Sequence, residues 1–361
     1  NIDFQLQVNN IYGSVTDLLE QGEQIQQHNV CKDINFDGFD EIVMFTNLGQ
    51  IFIVDSNNAG RIRTSRKMEC PPALGNIDSD GEYEIVCGTA DDAEVNHVVN
   101  NDVLVYKPDG TLDYHFSVEG KVINITLEDV NGDGQLYIIA GLRKDRDNYG
   151  IDGLVVINTI TQQSYIYNTG YRVQSSLSVG DVDNDGVSEI ALVCKNQYNL
   201  GQPVQYTSLF LKVFDISSDF LSITEVFNAI QNATSDDELT GNPVIADLDS
   251  NGTIEILYSY STKLSSGFNS NTIAYSYGNT APIWQHVQNS TEGQMIMSDI
   301  IIGEFNDLSQ GLEVFCVSKD IVLLLSQGTD LFIQPHILSN TSPFILSFDY
   351  DSNDVNDFVV I

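Results

Sequence analysis

Asp181, Asp183, Asp185 and Glu189 stand in the stretch DVDNDGVSEIA, three carboxylates at alternate positions and a fourth four residues later, with Gly186 between. Hard cations such as Ca²⁺ take six to eight oxygens at about 2.3–2.6 Å from carboxylates, amide oxygens, backbone carbonyls and water. In a tight loop the side chains at positions 1, 3 and 5 converge on one point. A glycine at position 6 permits the sharp turn, position 7 can offer its carbonyl, and an acid at position 9 closes the cage. The chemistry this spacing fits is calcium coordination by a loop between two strands.

The pattern recurs along the chain. Its ligand positions are Asp33, Asn35, Asp37 and Glu41 in the first copy, and Asn76, Asp78, Asp80 and Glu84 in the second. The fifth copy carries Asp247, Asp249, Asn251 and Glu255, and the seventh Asp349, Asp351, Asn353 and Asp357, with Asp354 at the turn. Asn in place of Asp keeps the oxygen but lowers the charge, which weakens the site. The third copy offers Asp129, Asn131 and Asp133 but has Tyr137 where the fourth ligand belongs. The sixth, starting at Glu304, has Leu308 at the fifth position and reads as metal-free. The expected load is therefore about five or six Ca²⁺ per chain. Asp, Asn and Gly also form plain polar turns, but so many near-complete copies favour the metal. An EF-hand is excluded, because its acid at position 12 is replaced by Met44, Cys87, Ala140, Leu192 and Tyr258.

The copies begin at 33, 76, 129, 181, 247, 304 and 349. Repeats of such length built from short strands indicate a propeller or a solenoid. Each loop joins a strand ending in an apolar stretch (SLSVGD, NPVIAD) to one beginning EIV or its like. A third strand follows, as in QIFIVDS, DVLVYK, LVVINT, SLFLKVFDI, NTIAYSY and DIVLLL, and then a more polar fourth, as in TLDYHFSV or APIWQHV. Turns at Asn47-Leu48-Gly49 and Pro108-Asp109-Gly110 are assigned to the junction of the last two strands. Four strands per unit make a propeller blade. The expected fold is all-β, a seven-bladed β-propeller of four-stranded antiparallel blades forming one domain over residues 1–361. The N-terminal stretches IDFQLQV and VTDLL would complete the last blade and remove a free edge. Four insertions, 90–101, 143–153, 196–207 and 261–271, are placed between second and third strands and would crowd one face.

With 51 acidic against 15 basic residues the formal charge is −36. That balance argues against nucleic acid and anionic membrane surfaces as partners. No apolar stretch approaches the roughly 18 residues of a membrane helix. Residue 1 is Asn rather than Met, which reads as a processed chain or a fragment, with a removed signal peptide as the expected cause. Among the five cysteines, Cys31, Cys87 and Cys316 occupy core positions of the repeat and read as buried thiols. Cys70 and Cys87 flank one loop on neighbouring strands and are a pairing alternative to two free thiols. Sequons fall at Asn124, Asn232, Asn251, Asn289 and Asn340. Asn251 is also a loop ligand and is expected to stay bare, leaving Asn124, Asn232, Asn289 and Asn340 as glycan acceptors.

The repeats resemble FG-GAP repeats, the calcium-loop blades of integrin α-subunit propellers and of stand-alone secreted proteins. The resemblance spans essentially the whole chain and implies calcium ligands at positions 1, 3, 5 and 9 of each copy. It also implies a propeller that binds a protein or glycan through one face, often in adhesion. Glu at position 9 of four copies, Tyr137 and the eroded sixth loop depart from the pattern.

The leading reading is an extracellular, secreted or cell-surface, non-enzymatic recognition module. The five histidines are scattered outside catalytic motifs, and His115, His286 and Trp284 lie in fourth-strand patterns that read as packing. A second reading is a structural glycoprotein whose propellers self-associate into a filament or coat through a heterologous contact. A third is a polysaccharide lyase, for which Arg143-Lys144-Asp145-Arg146 is the one basic cluster available.

Overall fold

A computed structural model describes residues 30–46, 48–54, 59–63, 66–78, 80–91, 101–145, 149–196, 207–217, 222–233, 237–264, 267–290, 300–303, 305, 311–317, 321–326, 329–335, 345–348 and 357–360. All regular structure among them is β-strand, in antiparallel sheets. The first sheet runs Val30–Lys32, Glu41–Phe45, Gln50–Val54, Ala59–Arg63, each strand paired with the next. The second has Ala73–Gly75, Glu84–Gly88, Asn101–Tyr106 and Leu112–Val118, and the third Lys121–Glu128, Tyr137–Arg143, Gly153–Asn158 and Gln163–Asn168. In the fourth, Arg172–Val173 and Ser178–Gly180 share one partner, Glu189–Lys195, which is followed by Thr207–Ile216 and Ile223–Ala233. The fifth comprises Asp237–Ala246, Glu255–Leu264, Gly267–Ser276 and Trp284–Ser290, and the sixth Ile301–Gly303, Glu313–Val317, Ile321–Ser326 and Thr329–Pro335. Ile345–Phe348 and Asp357–Val360 form a closing hairpin. The chain divides into two compact units, Asn1–Gly170 with the first three sheets and Tyr171–Ile361 with the rest.

Within each unit the cores lie between successive sheets, which is why the inner strands read as continuous apolar runs. Alternate side chains of one strand serve different cores. Ile85 and Cys87 pack with Val43, Phe45 and Ile51 of the first sheet, whereas Val86 between them packs with Val122, Ile138 and Ala140 of the third. In the second unit Ile256 and Tyr258 join Val193 and Leu211, while Leu257 joins Val314 and Cys316. The fourth strands alternate instead; in Gln163–Asn168 every second residue is exposed, the signature of an outer strand with one wet face.

Several sequence expectations are corrected. Asn47-Leu48-Gly49 lies between the second and third strands of its sheet, with Gly49 N–H donating to the Thr46 carbonyl, so only Pro108-Asp109-Gly110 joins a third strand to a fourth. Residues 261–271 are largely strand, not a loop: Glu255–Leu264 and Gly267–Ser276 pair along their full lengths, with Leu264 opposite Gly267. Cys31 is exposed rather than buried. Its short strand ends at a cleft of about 460 Å³ that it lines with Leu74 and Leu127. Cys70 and Cys87 are free, and they belong to different core clusters, Cys70 with Val86 and Cys87 with Ile85. Burial pushes the Cys70 thiol up to about 12, so neither is a ready nucleophile. Asn124 is withdrawn as a glycan acceptor: it is buried on its strand and its Oδ1 accepts from the Gly141 N–H at 3.0 Å. Asn232 is exposed on the last strand of the fourth sheet. The side chain of Asn289, all of Asn340, and the N-terminal stretches expected to close the ring lie outside the described residues. No helix among the described residues is long and apolar enough to cross a membrane.

Candidate metal centres

Every acidic loop links the first strand of a sheet to the second, and position 9 is the first residue of that second strand except in the sixth copy, whose loop is one residue longer and whose second strand begins at position 10, Glu313. The register pairs Glu41 with Lys32, Glu84 with Gly75, Tyr137 with Glu128, Glu189 with Gly180 and Glu255 with Ala246. Glu313 pairs with Gly303 and Asp357 with Phe348 in the same way. A hairpin held in this register fixes where the loop begins and ends, so its side chains meet at one place in each sheet.

Inside the loops the geometry repeats atom by atom. In the fourth, Asp185 N–H donates to Asp181 Oδ1 at 3.1 Å and to Asp183 Oδ1 at 3.2 Å, and Gly186 N–H donates to Asp181 Oδ2 at 2.9 Å. Val187 N–H donates to Asp185 Oδ1 at 2.8 Å. The first loop does the same with Asp33, Asn35 and Asp37, the third with Asp129, Asn131 and Asp133, and the fifth with Asp247, Asp249 and Asn251. Asn251 Oδ1 thus takes the place of the position-5 carboxylates. Position 4 adopts left-handed backbone at Phe36 (φ 56°), Gly132 (69°), Asn184 (63°) and Ser250 (56°), and the position-6 glycines follow with φ between 85° and 102°. Two such residues separated by one fold the loop back on itself and turn positions 1, 3 and 5 inward. An aromatic residue at φ 56° is strained, so Phe36 holds that conformation because the loop imposes it.

Position 9 closes the loop from below. Glu41, Glu84, Glu189 and Glu255 are buried, and each Oε2 accepts the N–H of the position-2 residue, Ile34, Ile77, Val182 or Leu248, at 2.8–3.0 Å. Position 2 is a feature the ligand pattern did not single out. Its apolar side chain is buried in every described copy from the first to the fifth: Ile34, Ile77, Val130, Val182 and Leu248. Its carbonyl reaches the next sheet. Ile34 O accepts from Tyr83 N–H at 3.1 Å, and Leu248 O from Leu312 N–H at 2.8 Å. Ile77 O is met instead by Gln135 Nε2 and Thr159 Oγ1, both at 2.8 Å. The signal was present in the sequence, an apolar residue at position 2 of the first six copies and Tyr350 in the seventh.

Three loops bring acid ligands together closely: Asp78, Asp80 and Glu84; Asp181, Asp183 and Glu189; Asp247, Asp249 and Glu255. In each, one oxygen per residue lies within 4.8 Å of the others. Oxygens across a shared Ca²⁺ at about 2.3–2.6 Å lie up to about 5 Å apart, so the spacing fits that ion. Asn76 Oδ1, the position-1 ligand of the second loop, is buried and has no hydrogen-bond partner. A buried acceptor left so costs about 1–3 kcal/mol, and a cation in the cage removes that cost. Burial, opposed by the Ile77 N–H and reinforced by Asp78 and Asp80, pushes the Glu84 carboxyl up to about 7. Glu189 is pushed up to about 7 by burial, with Asp183, Asp185 and Asp181 adding to it, and Glu255 is raised for the same reasons.

The weaker copies also explain themselves. Tyr137 is buried with its hydroxyl 3.4 Å from Asp133 Oδ2, and burial first, then the Asp133 charge, raises it to about 12. It stays a neutral phenol, and Asp133 Oδ2 is already engaged by Asn131 Nδ2 at 3.0 Å. In the sixth copy Phe305 N–H still donates to the buried Glu313 Oε2 at 2.8 Å. The clamp survives there although the sequence lacks the position-5 ligand. Glu304 and Leu308 of that copy, and Asp349, Asp351 and Asn353 of the seventh, lie outside the described residues.

The basic cluster resolves into ion pairs. Arg143 Nη2 meets Glu69 Oε2 at 2.7 Å, Lys144 Nζ lies 3.9 Å from Asp152 Oδ2, and Asp145 is buried; Arg146 is outside the described residues. His115 lies 3.4 Å from Asp102, which also accepts from Ser117 Oγ at 2.8 Å and pairs with Arg66 at 3.1 Å.

The raised acids give a pH prediction. In metal-free solution Glu84 and Glu189 hold protons in the folded chain up to about pH 7, while the unfolded chain releases them near the ordinary value of about 4.3. The stability they contribute is complete below that ordinary value and is lost as pH rises through about 7. Melting temperature in EDTA is therefore expected to fall from pH 5 to pH 8, and in excess calcium to lose that fall or reverse it. A melting temperature in EDTA that rises over this range would refute the assignment.

No protein-family model and no curated protein matches the sequence. The fold has counterparts among solved structures. The Dos1 propeller aligns with a TM-score of 0.51 at 11% identity, over 86% of this chain and 75% of that one. BBS1N, solved in complex with ARL6DN and soaked with lead, aligns with a TM-score of 0.51 at 8% identity, over 89% and 85%. Rhamnogalacturonan lyase PL11 of Bacillus licheniformis aligns at a TM-score of 0.43 and 13% identity, over 89% and 73%. At such identities the likeness concerns the fold, which is of the β-propeller type.

Proposed function

We propose that this chain is a calcium-binding β-propeller of the FG-GAP kind, with seven blades of which the last is completed by the N-terminal segment. It serves outside the cell as a non-enzymatic recognition or adhesion module for a protein or glycan. The observation that carries the reading is the recurrence of one loop at the same hairpin of each sheet, with the same hydrogen bonds and the same left-handed turn in the first, third, fourth and fifth copies. The donor set is all oxygen, which favours Ca²⁺ over softer metals. Bound calcium would also offset part of the −36 charge. The pairing of Arg143 and Lys144 with carboxylates supports a non-enzymatic role over the lyase reading. Protein recognition is within the reach of such a fold, since BBS1N was solved in complex with ARL6DN.

Metal analysis tests the first half. Protein dialysed against millimolar calcium is expected to retain about five or six Ca²⁺ per chain, and two or fewer would overturn the site reading. Binding of the native protein to immobilised cell-surface proteins and glycans, with calcium and with EDTA, tests the second; a calcium-dependent ligand supports it, and turnover of a polysaccharide would replace it.

A further inference from the structure

Lys212, Glu225 and Asn228 form a triad on the last two strands of the fourth sheet, apart from any acidic loop. Lys212 and Asn228 are direct cross-strand partners, and a register shift after Val213 brings Glu225 opposite Phe214, beside them. Side chains of directly opposed residues share a face, with Cβ atoms about 4.5–5.5 Å apart. Lys212 is buried, and its Nζ meets Glu225 Oε2 at 2.5 Å beneath the Tyr171 ring, 5.4 Å from the ring centroid. Tyr171 in turn stacks on Phe210 at 4.2 Å. The other oxygen of the same carboxylate, Oε1, accepts from Asn228 Nδ2 at 2.9 Å. Asn228 Oδ1 is buried without a partner. An amine, a carboxamide and a carboxylate touching both are thus held together under an aromatic lid.

We propose that Lys212 and Asn228 become joined by an intramolecular isopeptide bond, with Glu225 as the proton relay. In the reaction Glu225 Oε2, in contact with Nζ, takes a proton from the Lys212 ammonium and leaves a nucleophilic amine. Nζ then bonds to Asn228 Cγ, and the Cγ–Nδ2 bond breaks. Glu225 Oε1, already hydrogen-bonded to Nδ2, delivers the proton that lets nitrogen leave as ammonia. The proton lost by Nζ returns to Glu225 and is carried off as ammonium. One ammonium and one carboxamide give one secondary amide and one ammonium ion, with no oxidant or cofactor. The product staples neighbouring strands covalently and removes the buried charge of Lys212.

Mass spectrometry of the full-length protein decides this. The expected wild-type mass is one ammonia below that of the sequence, and digestion should yield a branched peptide joining Lys212 to Asn228. Lys212→Arg, Asn228→Ala and Glu225→Gln should each restore the full sequence mass, the last while retaining both joined residues. A wild-type chain at full mass, with Lys212 and Asn228 on separate peptides, overturns the proposal. So does loss of ammonia without the branched peptide, which would be cyclisation of an asparagine. A variant that fails to fold leaves the wild-type measurement decisive.

Discussion

Chelating calcium is expected to lower the melting temperature by at least about 10 °C. A ligand that binds only the folded state at 100 times its dissociation constant contributes about 2.7 kcal/mol per site. Five or six such loops then rival the whole stability of an ordinary domain, about 5–15 kcal/mol. About 1 kcal/mol corresponds to about 2–4 °C in chains of 150–250 residues, and to somewhat less in a longer one. The direction is fixed by where the ligands sit. Asp181 and Asp183 belong to the loop, Glu189 to the strand that follows, and their oxygens come within 4.8 Å only when the hairpin is in register. Without metal, the buried Glu189 faces three neighbouring acids that raise it, and Asn76 Oδ1 has no partner. Calorimetry in millimolar calcium and in EDTA measures the difference. A shift under about 2 °C would mean that the loops fold and hold without an ion.

The legible parts of this molecule are those whose physics is local. A loop that must aim oxygens at one point needs them at positions 1, 3 and 5 and needs a glycine at 6, so such residues stand out in sequence. The four-strand unit was legible for a similar reason, since strands covered on both faces read as apolar runs. What escaped was set by contacts distant in sequence. Residues 261–271 look like a loop because they are rich in Ser and Asn. In the sheet their polarity is met across the strands, Ser259 with Thr272 at 3.0 Å and Ser261 with Ser270 at 3.3 Å, both pairs buried. Asn124 carried a sequon, yet its amide is spent on the backbone of the adjoining strand at Gly141. Cys31 reads as a core position of the repeat, yet it is exposed and lines an open cleft with Leu74 and Leu127. The two duties of the position-9 glutamate were invisible for another reason. A ligand and a backbone clamp demand the same residue, and only the sixth copy separates them.

That separation allows the second large effect to be predicted. Glu189 serves as ligand and clamp, whereas Glu313 holds the Phe305 N–H in a copy whose position 5 is Leu308. Glu189→Gln keeps an oxygen for the Val182 N–H but gives up the charge that a cation needs. It should cost the chain one bound Ca²⁺ and lower the melting temperature in calcium. In EDTA it should be neutral or stabilising, because it relieves a carboxylate that burial and three acids already raise to about 7. Glu313→Ala is expected to behave in the opposite way. It strips the acceptor from the Phe305 N–H, which costs about 1–3 kcal/mol, and the loss should be equal with and without calcium because the sequence of that copy has Leu308 in place of the position-5 ligand. The Glu189→Ala variant combines both effects, losing about 1–3 kcal/mol in EDTA through the orphaned Val182 N–H and more in calcium. Paired melts of the three variants, each in calcium and in EDTA, give the comparison. If Glu189→Gln destabilised equally in both solutions, position 9 would be a clamp alone and its role as a calcium ligand would fall; if Glu313→Ala lost more in calcium than in EDTA, the sixth loop would hold an ion after all.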